Sequence, residues 1–112
     1  MSILRIYKVM IEPAASEDEA VPLSYPDSLG LQTKFGGVPC WLQGDQSPQC
    51  PQCGEVMTFV AQIDSFEHQS ALNRNRRDVR SGDQHFMFGD VGMIFVFFCG
   101  DCCEPATVFQ CY

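Results

Sequence analysis

Two Cys-x-x-Cys pairs, Cys50-Pro51-Gln52-Cys53 and Cys99-Gly100-Asp101-Cys102, restrict this chain more than any other feature. A tight turn with two thiols three residues apart offers two soft ligands from one short loop, and two such turns complete the tetrahedral shell that a structural zinc ion takes. Cys50, Cys53, Cys99 and Cys102 are therefore the expected ligands of one zinc. Cys103 is an alternative to Cys102, although the x-x spacing favours the latter. Pro51 restricts the backbone of the first turn and Gly54 permits a positive φ, both suited to wrapping amides around thiolates. Cys40 and Cys111 read as small apolar core residues.

Each pair falls between segments of strand character. Residues 39 to 43 around Trp41 suggest a short strand before the first pair. After it Met57, Phe59, Ala61 and Ile63 alternate with polar neighbours, a period of two broken only by Val60, which predicts a half-buried strand with its core face on the Met57 side. The run Met93-Ile94-Phe95-Val96-Phe97-Phe98 is apolar at every position, as in a central strand covered on both faces, and residues 106 to 112 read as its return. The expected fold is mainly β: a small antiparallel sheet with two zinc-knuckle hairpins, resembling a zinc ribbon. The 45 residues between Cys53 and Cys99 exceed a ribbon's usual spacing, so the Arg- and Asn-rich segment 65–84 is expected to be a polar insertion.

With 112 residues, 46% of them hydrophobic, the chain has the size of a single domain, 1–112, with one core. Residues 3 to 11 are rich in Ile, Val and Tyr and are read as a strand ending before Pro13, in preference to the helix that the spacing of Arg5, Lys8 and Glu12 would also allow. Residues 13–30 hold three prolines and the run Glu17-Asp18-Glu19, which predicts an acidic loop and offers those carboxylates as partner-binding candidates. Arg5 and Lys8 interrupt the N-terminal apolar residues, unlike a secretory leader, so a cytoplasmic protein with reduced thiols is expected. The longest apolar run is about half the ~20 residues of a spanning helix.

The formal charge is −7. Segment 65–84 carries Arg74, Arg76, Arg77 and Arg80 against three acids, leaving three basic and eleven acidic groups, a balance of −8, on the remainder. That field repels phosphate backbones and speeds encounter with basic proteins, which argues against nucleic acid and for a basic protein partner. Catalytic signatures are lacking: there is no Gly-x-Ser-x-Gly, no phosphate loop and no His-Glu-x-x-His, and His68 and His85 have no evident catalytic companions. A zinc held by four thiolates also has no open position for water. The expectation is a binding protein rather than an enzyme, with a thiol-dependent enzyme as an alternative.

The residues Lys34-Phe35-Gly36-Gly37-x-Pro39-x-Trp41-x-Gln43, Cys50-Pro51-x-Cys53-Gly54-x-x-Met57-x-Phe59-x-x-Gln62-Ile63-Asp64, Phe88-Gly89-Asp90-x-Gly92 and Phe95-x-Phe97-x-Cys99, with Gln110, resemble the short cysteine-bearing members of the YwqG-like family of uncharacterised bacterial domains. The likeness covers about residues 33 to 111 and implies a β-rich domain without an established reaction. Some relatives lie beside secreted antibacterial toxins and look like their immunity proteins, which implies capture of a basic toxin as one role. The Gly-Gly-x-Pro-x-Trp and cysteine pattern is more distantly similar to the C-terminal domain of the programmed-cell-death-2 family, which implies a chaperone-like handler of basic ribosomal proteins as another.

Overall fold

The structure is a computed structural model that describes residues 3, 6, 8–16, 32–65, 88 and 92–111. Its centre is one four-stranded antiparallel sheet: β1 (Lys34–Phe35), β2 (Thr58–Asp64), β3 (Gly92–Cys99) and β4 (Glu104–Cys111), in that spatial order. The fold is mainly β, and no helix occurs among the described residues. Nor does any helix there have the length and apolarity to cross a membrane.

The β3–β4 pairing runs without a break from Gly92↔Cys111 to Cys99↔Glu104. It places Met93, Phe95, Phe97 and Cys99 on one face of the sheet, all buried, and Ile94, Val96 and Phe98 on the other. The expectation that β3 is covered on both sides is half met, because Phe98 keeps 39% of its surface exposed. Pro105, which cannot donate to a ladder, sits on β4, which among the described residues pairs on one side only.

β2 departs from simple alternation. Phe59 pairs with Phe97 but Ala61 pairs with Val96, so Val60 is an extra residue, a β-bulge. One inserted residue exchanges the faces of everything beyond it. Phe59 therefore shares the core face with Gln62 and Asp64, while Ala61 and Ile63 turn to the opposite face. The core face expected on Met57, Phe59, Ala61 and Ile63 is corrected accordingly.

The core face is covered by the loop before the first knuckle. The ring of Trp41 lies 4.6 Å from Phe95 and 5.8 Å from Phe97, the latter nearly parallel at 14°, and Phe59 meets Phe97 edge-on at 5.6 Å. Burying each of Phe95, Phe97 and Met93 contributes about 1.5–3 kcal/mol of hydrophobic stabilisation. The strand expected over residues 39 to 43 is not formed. Its backbone is satisfied instead by side chains projecting from the sheet. Gln110 Oε1 accepts from the amides of Leu42 and Gln43, both at 2.8 Å, and its Nε2 donates to Gly44 O at 2.8 Å. Gln62 does the same upstream, accepting from Cys40 N at 3.0 Å and donating to Gln32 O at 2.7 Å. Both glutamines are buried, and each amide replaces a neighbouring strand.

A second polar knot closes the far end. Asp64 accepts the amides of Gln32 at 3.1 Å and Ser65 at 2.8 Å, and Ser65 Oγ donates to Gly92 O at 2.7 Å. A Cβ on Gly92 would come within 2.3 Å of the Phe109 ring and 2.6 Å of Phe88 O, so only glycine fits there.

The strand expected over residues 3 to 11 is not formed at its described positions, where Ile3, Ile6, Val9, Met10 and Ile11 are 69–93% exposed. Among the described residues no strand faces these positions, and strand propensity without a partner does not hold a strand.

Candidate metal centre

The first knuckle is the tip of a short hairpin. Gln49 and Val56 form an isolated antiparallel bridge, Cys50 N donates to Glu55 O at 2.8 Å, and Gly54 N donates to Cys50 O at 2.8 Å. Gly54 sits at φ 77°, the left-handed region that lets the chain reverse. Upstream, Ser47 donates both its amide and its hydroxyl to Asp45 Oδ1, at 2.9 and 2.7 Å, which bends the chain towards Pro48. Those bonds, the hydroxyl's first, hold the Asp45 carboxyl below its ordinary value.

The second knuckle is the four-residue loop Gly100–Cys103 joining β3 to β4. Cys99 and Glu104 are the last pair of that ladder, as Cys50 and Glu55 close the first hairpin. Cys103 has φ 54°, the only non-glycine residue with positive φ among the described residues, and occupies the position equivalent to Gly54. The two turns thus share one pattern, Cys-x-x-Cys-(left-handed residue)-Glu, at Cys50–Glu55 and Cys99–Glu104.

These turns bring four sulfurs together. The Sγ atoms of Cys50, Cys53, Cys99 and Cys102 all lie within 4.8 Å of one another, and Cys53 Sγ is 3.8 Å from Cys99 Sγ. A tetrahedron with metal–sulfur bonds of about 2.3 Å has edges of about 3.8 Å, so the cluster has the size of a mononuclear four-thiolate site. None of the seven cysteines is in a disulfide. The cluster continues the apolar core, since Cys50 and Cys99 are buried with Met57 and Phe97, and Cys102 packs against them. Cys103 is exposed and lies outside the cluster, whereas Cys102 is the thiol of this turn that lies within it.

The electrostatics also fit a cation. The amide of Cys53, helped by that of Gln52 at 3.4 Å, holds the Cys50 thiol down to about 7. At Cys53 the amide of Glu55 acts in the same direction, but desolvation and the neighbouring thiols of Cys50 and Cys99 prevail and raise it. Desolvation, then the thiols of Cys53, Cys50 and Cys99, push Cys102 up to about 12. Four thiols this close cannot all ionise beside one another, and a divalent ion at their centre removes the conflict. The arrangement can hold a metal ion; four thiolates leave it no vacant position for substrate.

The other sites expected from the sequence fare differently. Cys40 and Cys111 are half-buried rather than core residues. Glu17, Asp18 and Glu19, the Arg74–Arg80 cluster, His68 and His85 lie outside the described residues. Sequence reasoning missed the positioning roles of Gln62 and Gln110. Nothing in the local pattern of either strand marked these two glutamines, although the repeated Cys-x-x-Cys-x-Glu of the two turns was present in the sequence.

No family model matches the chain, and no solved structure matches it. The chain is similar to the uncharacterized protein YpfL of Salmonella typhimurium (strain LT2), with 31% identity over 78 residues. The alignment covers 70% of this chain but 15% of the relative, so the chain spans a small part of that protein's length. The likeness ties the chain to an uncharacterised bacterial protein.

Proposed function

We propose that this chain is a zinc-stabilised protein-binding domain without enzymatic activity, in which Cys50, Cys53, Cys99 and Cys102 hold one structural zinc that clamps the two knuckles. The observation that carries this reading is the gathering of four thiols, from turns far apart in sequence, within 4.8 Å. Zinc suits them because it has no geometric preference of its own and takes four thiolates tetrahedrally. Metal analysis of protein purified without chelator tests the site: about one zinc per chain is expected. A folded, metal-free protein that takes up no zinc overturns it.

Binding is the role that remains for a site closed to substrate and a surface of net charge −7. The partner we favour is a basic protein, because opposite charge raises the encounter rate. Membership of the YwqG-like family, and within it an immunity protein that neutralises a basic antibacterial toxin in the cytoplasm, is the specific form of this proposal, with Glu17, Asp18 and Glu19 as candidate contacts. Co-purification and a protection assay with toxins encoded beside the gene test it. Binding with rescue of growth is the expected result; no binding and no rescue would defeat it.

A further inference from the structure

The four clustered sulfurs differ in their access to solvent. Cys53 is exposed, Cys102 is half-buried, and Cys50 and Cys99 are 2% and 7% exposed. The exposed thiol also lies close to a buried thiol of the opposite knuckle, with Cys53 Sγ 3.8 Å from Cys99 Sγ. From the metal-site reading above, we infer that Cys53 and Cys99 are a peroxide-sensitive pair. Hydrogen peroxide joins them in a disulfide and releases the metal.

Oxidation of a metal-bound thiolate begins where the oxidant can reach it, which here is Cys53. Its thiolate attacks one peroxide oxygen; the O–O bond breaks, Cys53 becomes a sulfenic acid, and hydroxide leaves. The Cys99 thiolate then attacks the Cys53 sulfur, forming the S–S bond and expelling a second hydroxide. Two protons convert both hydroxides to water. Two thiolates have lost two electrons in total, and one peroxide has become two waters. The sulfurs must close from 3.8 Å to about 2.0 Å.

Only Cys50 and Cys102 then remain as ligands, and two thiolates do not complete the shell that zinc takes. The new bond links residues 46 apart in sequence and keeps the first knuckle tied to the end of β3. Metal leaves while the sheet stays joined, a change that thiol reduction and fresh zinc reverse. Cys103 is exposed too but its sulfur lies outside the cluster, so it serves as the control.

The test uses zinc-loaded full-length protein, a chromogenic zinc chelator and peptide mapping after alkylation. Peroxide should release about one zinc per chain with loss of two titratable thiols, and mapping should find Cys53 joined to Cys99. Cys103→Ser should behave identically, and dithiothreitol with added zinc should restore the starting state. A protein that neither contains nor takes up zinc overturns the metal reading itself. Zinc-loaded protein that keeps its metal in excess peroxide overturns only the present inference, as does release accompanied mainly by a Cys50–Cys53 link or by a link through Cys103.

Discussion

The two knuckles offer the same ligands by different means. The second is the end of a continuous ladder: every residue from Gly92 to Cys99 has a partner on β4, so Cys99 and Cys102 are positioned by the sheet. The first is a short hairpin, the isolated bridge Gln49↔Val56 with the bonds Cys50 N to Glu55 O and Met57 N to Pro48 O, whose downstream arm enters β2 but whose upstream arm comes from a loop held to the sheet by glutamine side chains. In compensation its turn carries Pro51 and Gly54 and aims the Gln52 amide at Cys50 Sγ, whereas the second has Gly100 in place of the proline and Cys103, at φ 54°, in place of the left-handed glycine. Where the sheet supplies order, local turn chemistry is relaxed; where it does not, the turn itself is well made. A bound metal would have most to add at the first knuckle.

Chelation should break the two apart most visibly. A structural zinc contributes about 10–16 kcal/mol of apparent binding energy, comparable with the ~5–15 kcal/mol that stabilises a whole small domain. After metal removal, hydrogen exchange should rise throughout residues 50–57, while the β3–β4 amides around Phe95 and Phe97 retain most of their protection. Equal loss in both regions would mean that the sheet does not hold the second knuckle independently. Acid should release the metal as well, because protons compete for the thiolates, and lowering the pH should reproduce the chelator's pattern.

Gln110→Ala probes the tether. It deletes three hydrogen bonds to the Leu42–Gly44 backbone, at about 1 kcal/mol each, for an expected loss of about 3 kcal/mol in denaturant unfolding. Zinc affinity should fall with it, through the first knuckle, although Gln110 is not a ligand. Unchanged affinity would separate the tether from the site.

That tether marks the limit of what the sequence disclosed. β3, β4 and the four clustered cysteines were legible because apolar runs and x-x spacing are local signals. The loop from Pro39 to Gln43 was read as a strand because Trp41 and Leu42 are apolar and need covering. What satisfies its backbone is amide groups 22 to 68 residues away, which no local pattern encodes. The bulge at Val60 was visible as a blemish, but its consequence, the inward turn of Gln62 and Asp64, depends on register with β3. The repeat of Glu55 and Glu104 is present in the sequence, but it acquires meaning only because both residues close a hairpin.

Gly54→Ala attacks the local chemistry of the first knuckle. At φ 77° a Cβ has open space but the wrong backbone, and the left-handed conformation costs an L-residue about 1–2 kcal/mol. The smaller freedom of alanine in the unfolded chain offsets about 0.5–1 kcal/mol of this, so stability should drop by about 0.5–1 kcal/mol in urea titration, with zinc stoichiometry retained. A loss below a few tenths of a kcal/mol would show that the first turn is held by its metal rather than by its own conformation.

The converse substitution, Cys103→Gly, gives the second knuckle the residue that the first already has. Relief of the left-handed strain, about 1–2 kcal/mol, is offset by the extra freedom glycine has when unfolded, about 0.5–1 kcal/mol, so a net gain of about 0.5–1 kcal/mol is expected. Because the Cys103 sulfur is outside the cluster, zinc content should not change. Cys103→Ala keeps the Cβ and should bring no gain, which isolates backbone strain from loss of the thiol. If Cys103→Gly instead reduces zinc content, the exposed thiol takes part in holding the ion, and the second knuckle is then less fully positioned by the sheet than its ladder suggests.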